Sequence, residues 1–159
     1  MGPAEDWVLL AYRLPREPST PRSAVWRKLK RLGVAQLADG LVALPADART
    51  REQLEWIAEE VTDHGGEAAV WLGHPLDPAA RAALVSRMTA VVAAEYDAVT
   101  AEATAARGAD EATRRRVLVR LRRELHRIAG RDFFPCPQCH AARAAVDDLA
   151  AVPAPEVRA

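Results

Sequence analysis

Two basic clusters and one cysteine motif contain the residue types that could bind a ligand or support chemistry. The first cluster lies in the N-terminal third of the chain and consists of Arg22, Arg27, Lys28, Lys30 and Arg31. Lysine and arginine neutralise phosphates, and each neutralised phosphate releases bound counterions. The cluster therefore predicts contacts with nucleic acid or an oxyanion. The alternative is the ordinary charged outer face of an amphipathic helix.

The second basic cluster belongs to an arginine-rich stretch further along the chain. Its members repeat at spacings of four, three and four residues and are Arg116, Arg120, Arg123 and Arg127. A guanidinium group is planar, and its fork of donors fits tetrahedral oxyanions such as phosphate, sulfate and chromate. We expect nucleic acid as the partner of the two clusters, and an oxyanion as a second candidate ligand. The alternative is a solubilising surface.

The cysteine motif is Cys136-Pro-Gln-Cys139-His140. Two thiols at the start of a helix can form a redox pair, because the helix dipole lowers a thiol pKa. A metal site is a second interpretation, with a fourth ligand from His126 or Asp132. The spacing also matches c-type haem attachment, but that requires export, and the first residues do not resemble an export signal. A chance occurrence is the third interpretation, and we expect no resident cofactor.

The sequence contains no recognisable catalytic constellation. None of the serines lies in a nucleophile elbow, and no glycine-rich phosphate loop is present. We therefore expect a protein that is not an enzyme. Three functions stay open: a DNA-binding regulator, a small thiol redox or metal-binding protein built on the cysteine motif, and a protein-interaction domain without a ligand.

Composition limits the choice further. The 159 residues include 22 lysines and arginines and 22 acids, so the formal net charge is zero and only local patches can attract nucleic acid or a membrane. No apolar run reaches the roughly 18 residues of a membrane span. Two cysteines do not make a disulfide framework, and with no export signal they favour a reducing cytoplasm.

The helices and strands that position these residues can be predicted from hydrophobic periodicity and turn signals. Residues 1–76 predict a ferredoxin-like α+β domain with the order βαββαβ. Its expected elements are a strand at 7–14, a helix at 20–32, a hairpin of 35–38 and 41–44, a helix at 51–63 and a strand at 68–72. Residues 77–151 predict an all-helical extension packed on this domain. Residues 152–159 predict a disordered tail.

Several local predictions accompany these elements. Asp39-Gly40 is typical of a two-residue type I′ turn. Thr50 and Gln53 have the spacing of a capping box at the start of the second helix. Trp26 is expected in the core, as is Val91 within the apolar stripe of the first long C-terminal helix.

One string of residues resembles a known family. Arg22-Ser-Ala-Val-Trp26-Arg27-Lys28-Leu29-Lys30-Arg31-Leu32-Gly33 is similar to the first-helix signature of the N-terminal domain of the chromate-resistance regulator family ChrB. Asp39-Gly40, Gly65-Gly66 and Asp132-Phe-Phe-Pro135 also fit that family. The resemblance implies transcriptional control of chromate-resistance operons, with chromate as the signal. The resemblance also implies a further C-terminal domain in full-length ChrB proteins, and we expect the present sequence to correspond to the part before it.

Assembly can also be anticipated from the predicted sheet. A small ferredoxin-like sheet leaves edge strands open, and such edges pair with another chain or must be covered. The long alanine-rich helix predicted after residue 78 offers a second packing surface. We therefore expect a homodimer.

Overall fold

The computed structural model describes residues 6–153. The chain forms two compact units, Met1–Met88 and Thr89–Ala159. The predicted boundary between residues 76 and 77 stays a prediction. Of the predicted tail, residues 154–159 lie outside the described part of the chain.

The first unit contains one antiparallel sheet and two helices. Its strands are β1 (Trp7–Arg13), β2 (Ala35–Ala38), β3 (Leu41–Pro45) and β4 (Glu67–Gly73), in the spatial order β2-β3-β1-β4. Helix α1 (Thr20–Leu32) follows β1, and helix α2 (Ala48–Asp63) follows β3. Every pair of neighbouring strands is antiparallel. The βαββαβ order and the α+β class are therefore confirmed.

Alternate residues of the two central strands build the core of this unit. The fully buried strand side chains include Val8, Leu10, Val42 and Leu44, and the fully buried helical ones include Val25, Leu29, Leu54 and Val61. Each such side chain contributes about 1.5–3 kcal/mol when it leaves water. Because Val25 and Leu29 pack into this core, the opposite side of α1 faces solvent.

The β2–β3 turn differs from the predicted type I′ geometry. Gly40 has a φ of 73°, but no described residue other than glycine has a positive φ, so Asp39 lacks the conformation that type I′ requires. The carbonyl of Gly40 accepts a hydrogen bond from the Tyr12 amide at 2.8 Å. A Cβ atom on Gly40 would lie 2.4 Å from the Tyr12 carbonyl oxygen. Contact with β1 therefore shapes this turn together with the local dipeptide.

The N-terminal cap of α2 also differs from the prediction. Asp47, in extended backbone, is the N-cap, and its carboxylate accepts a hydrogen bond from the Thr50 amide at 2.7 Å. The Thr50 hydroxyl accepts from the Asp47 amide at 3.0 Å and donates to the Pro45 carbonyl at 2.7 Å. The predicted box of Thr50 with Gln53 is wrong, because the helix starts directly after β3 and buries Thr50 within its first turn.

Helices make up the remainder of the described chain. They are α3 (Pro78–Ala106), α4 (Glu111–Ala129) and α5 (Pro137–Ala150), and α3 contains the boundary between the two units. The all-helical C-terminal half is therefore confirmed. Core side chains of the second unit include Val92, Tyr96, Val99, Ala103, Leu121, Ile128, Ala142, Val146 and Leu149.

Val91 does not belong to this core, contrary to the prediction. Its side chain is 61% exposed, whereas Val92 is buried. Val92, Tyr96 and Val99 repeat at helical spacing, and a helix turns about 100° per residue, which places Val91 outside their stripe. Within residues 6–153, no helix combines the length and the apolar character needed to cross a membrane.

Candidate nucleic-acid interface

The first basic cluster lies on the solvent side of α1. The helix begins with Pro21 near its first position and ends at Gly33, which has a φ of 78°. It contains no acidic residue. All five cluster members are exposed: Arg22, Arg27, Lys28, Lys30 and Arg31. The cluster therefore forms the charged outer face of α1, and its contact with nucleic acid or an oxyanion stays a prediction.

The five cations of α1 differ in how they are engaged. Lys28 forms a salt bridge with Glu60 of α2, with 2.5 Å between Nζ and Oε2. Arg27 donates from Nε to the Ser23 carbonyl oxygen at 3.3 Å, within its own helix. Arg22, Arg27, Lys30 and Arg31 form no salt bridge with any residue of the described chain. Four positive charges on this face therefore have no acidic partner among residues 6–153.

Trp26 lies beside these charges and is not a core residue. Its ring is only half-buried, contrary to the prediction. Nζ of Lys30 lies 5.9 Å from the ring centroid, within the range of a cation–π contact. The buried positions of α1 are Val25 and Leu29. Trp26 therefore forms part of the border between the core and the charged face.

The second basic cluster forms a shallow groove along α4. Asp110 caps this helix, and hydrogen bonds from the side chain and the backbone of Thr113 lower the pKa of its carboxyl group. Leu121 and Ile128 anchor the inner face. The groove has a volume of about 570 Å³ and is lined by Arg115, Arg116, Val119, Arg120, Arg123, Glu124 and Arg127. All four predicted arginines therefore line one surface.

Acidic side chains neutralise part of the α4 groove. Arg120 pairs with Glu102 of α3, and Arg127 pairs with Glu124 of its own helix. The hydrogen bond from Arg127 to Glu124 raises the pKa of the guanidinium group further above its usual range. Arg123 forms no salt bridge with a described residue. The groove is thus less strongly cationic than its arginine count alone indicates.

The two basic clusters occupy different units. Helix α1 belongs to the first unit and α4 to the second. Each cluster is therefore a separate candidate site.

The cysteine motif starts α5 and contacts a polar group that the sequence did not reveal. Cys136 is the N-cap of α5 and is buried, Cys139 is half-buried, and His140 is exposed. The Tyr96 hydroxyl donates to Oδ2 of Asp132 at 3.1 Å. Burial raises the pKa of Tyr96, and hydrogen bonds with Cys139 and Asp132 raise it further. In the sequence, Tyr96 fits the apolar stripe of its helix, and no local pattern indicates that its hydroxyl would meet Asp132 and Cys139.

This arrangement gives little support to a metal site. Across residues 6–153, no group of three or more histidine, cysteine, aspartate or glutamate side chains is placed to hold a metal ion. Both cysteines are free thiols. A thiol redox role for Cys136 and Cys139 stays a prediction.

Comparison with known proteins places these sites in a family context. Residues 22–113 match the family model described as Protein ChrB, N-terminal. The chain is 33% identical over 143 residues to Protein ChrB of Cupriavidus metallidurans. That alignment covers 84% of this chain and 42% of the relative, so the chain spans less than half of the relative's length. No solved structure matches the chain.

Proposed function

We propose that this chain, which belongs to the ChrB N-terminal family because the family model matches more than half of it, is a DNA-binding regulatory domain. In this proposal the domain controls transcription of chromate-resistance genes and has no enzymatic activity. The DNA-contacting surface is the outer face of α1. The observation that carries the proposal is a set of four exposed cations on that face that form no salt bridge within the described part of the chain: Arg22, Arg27, Lys30 and Arg31.

The extent of the family match favours α1 over α4 as the DNA-contacting surface. The matched residues 22–113 include all five bases of α1 but only the first turn of α4. The cations of α1 also have fewer acidic partners, since among residues 6–153 only Lys28 of this cluster pairs with a carboxylate. A surface without internal partners keeps its charge available for phosphates.

Binding through α1 would be local and electrostatic. The formal net charge of the chain is zero, so attraction comes from the patch and not from the whole molecule. Each phosphate that a lysine or arginine neutralises contributes about 0.9 to the slope of log affinity against log salt concentration. Phosphate contacts fix position and orientation on the duplex and carry no base information by themselves.

Fluorescence anisotropy with duplex DNA from the upstream region of the gene, over a series of salt concentrations, tests this proposal. Arg27→Gln is expected to keep the thermal stability of the wild type and to lower the salt slope by about 0.9. Arg143→Gln, which removes an equal charge from an exposed position on α5, is the matched control and is expected to leave the slope unchanged. Wild-type protein without measurable binding at low salt would contradict the proposal.

A second candidate function is binding of a tetrahedral oxyanion, such as chromate, in the α4 groove. The observation in its favour is that Arg116, Arg120, Arg123 and Arg127 line one groove, and that Arg123 lacks an acidic partner among described residues. Calorimetric titration with chromate and with sulfate tests it. Arg123→Gln is expected to weaken binding, whereas Arg122→Gln, an exposed position on the same helix that does not line the groove, is expected to have no effect.

A further inference from the structure

A polar cleft opens beside α1, within the first unit. It lies between the end of β1, the first turns of α1 and the β2–β3 turn, and its volume is about 650 Å³. We call it the Tyr12–Trp26 cleft. Its lining residues include Tyr12, Ser19, Arg22, Trp26, Gln36 and Asp39. Clefts of about 300–1,000 Å³ hold small organic ligands.

Two aromatic rings contribute the apolar part of the cleft. Tyr12 and Trp26 both line the cleft and are half-buried, so part of each residue is exposed. Burial raises the pKa of Tyr12, the charge of Arg22 lowers it, and the charge of Asp39 raises it. A cation and an anion thus both lie close to the Tyr12 phenol. Aromatic side chains of this kind stack on planar heterocycles, at about 1–3 kcal/mol per base.

Polar groups of the cleft have few partners within the protein. Ser19 is the N-cap of α1, yet its hydroxyl makes no capping hydrogen bond. Arg22 has no salt bridge or hydrogen-bond partner among residues 6–153. Gln36 and Asp39 also line the cleft and are exposed. These donors and acceptors are therefore available to a ligand.

We propose that the Tyr12–Trp26 cleft binds a nucleotide, with the phosphate at Arg22 and the base against Tyr12 and Trp26. The Gln36 amide and the Asp39 carboxylate face the same cleft and match the donor and acceptor edges of a base. A bare oxyanion would leave both rings without a contact, and an apolar ligand would leave the charge of Arg22 without a counterion. The proposal goes beyond the DNA-binding function and does not require duplex binding.

Two sources supply this ligand chemistry: a free nucleoside monophosphate, and a nucleotide within a single strand of nucleic acid. Calorimetric titration of the full chain with adenosine monophosphate, with a short single-stranded oligodeoxynucleotide and with inorganic phosphate distinguishes them. Saturable binding of the monophosphate indicates a free nucleotide as the ligand. Binding of the oligonucleotide with a much weaker monophosphate indicates a strand.

Variants assign the binding to the cleft. Arg22→Gln is expected to weaken nucleotide binding about tenfold, because a charged hydrogen bond is lost. Trp26→Leu is expected to weaken it by about tenfold or more, because stacking is lost. Arg51→Gln is the matched control in the same unit, because Arg51 is exposed and pairs with Glu55 one turn along α2. This variant is expected to bind the nucleotides as the wild type does.

Three results would overturn the proposal. The first is a wild-type chain that binds neither nucleotide probe at millimolar concentration. The second is inorganic phosphate binding as tightly as the nucleotides, which would mean that the rings contribute nothing. The third is an Arg22→Gln variant that keeps its circular dichroism spectrum and binds both nucleotides as the wild type. A failure of duplex binding leaves these measurements unaffected, so the two proposals are tested separately.

Discussion

The hydroxyl of Tyr96 links the core of the second unit to a buried carboxylate, and its removal has a predictable dependence on pH. Tyr96 is 1% exposed, and its hydroxyl donates to Asp132 at 3.1 Å. The Tyr96 hydroxyl reaches Oδ2 of this carboxylate, whereas Oδ1 is buried and has no hydrogen-bond partner within the described chain. Tyr96→Phe keeps the ring and removes the donor. We expect it to lower the free energy of unfolding by about 1–3 kcal/mol at neutral pH.

The sign of the pH dependence follows from the raised pKa of Tyr96. Burial, together with hydrogen bonds with Cys139 and Asp132, holds the folded-state pKa above the ordinary value of 10.0. The stability that the neutral phenol contributes is therefore fully present below about pH 10 and is lost as the pH rises through the folded-state pKa. Above that ordinary value, the unfolded chain releases a proton that the native chain keeps. The free energy of unfolding of the wild type then falls by up to about 1.4 kcal/mol per pH unit, relative to Tyr96→Phe.

Urea unfolding followed by far-ultraviolet circular dichroism measures this difference at neutral pH and at several values above pH 10. The wild type and Tyr96→Phe are expected to converge as the pH rises. The chain has two tyrosines, so Tyr12→Phe leaves Tyr96 as the one phenol to follow by tyrosinate absorbance. In that variant Tyr96 is expected to ionise only as the second unit unfolds. A stability difference that stays constant with pH, or a Tyr96 that titrates near 10.0 in the folded chain, would refute this reasoning.

Three further predictions concern the turn, the cysteines and assembly. Gly40→Ala is expected to lower the free energy of unfolding by about 2 kcal/mol or more, because φ is positive and the new Cβ would meet the Tyr12 carbonyl oxygen; thermal unfolding checks this. Cys136→Ser is expected to cost about 1–2 kcal/mol, since the thiol is buried in the core, and Cys139→Ser less; unfolding under reducing conditions that shows equal effects would contradict this. Light scattering is expected to give twice the chain mass of 17.3 kDa, as for a homodimer. Trp71 is 62% exposed on edge strand β4, and Trp71→Ser is expected to shift the protein toward monomer. A wild-type monomer at tens of micromolar would exclude the homodimer.

Much of the fold was predictable because its signals are local. Pro21 and Gly33 mark the two ends of α1, and the observed helix has the predicted limits, Thr20–Leu32. Alternation along the strands and helical spacing along α1 and α2 depend on which side chains are apolar, and that is written in the sequence. The predictions that failed depend on neighbours. Thr50 was assigned the cap of α2, but the end of β3 brings Asp47 into that position.

The candidate sites divide in the same way. The sequence by itself determined that Arg27, Lys30 and Arg31 lie on the outer face of a helix, because Val25 and Leu29 must be buried on its inner face. Only the tertiary structure decided which cations stay free, since Glu60 reaches Lys28 from a separate helix. It also decided that β1, α1 and the β2–β3 turn enclose one cleft. Residues far apart in the chain meet there through the packing of a whole sheet, and no local pattern specifies such contacts.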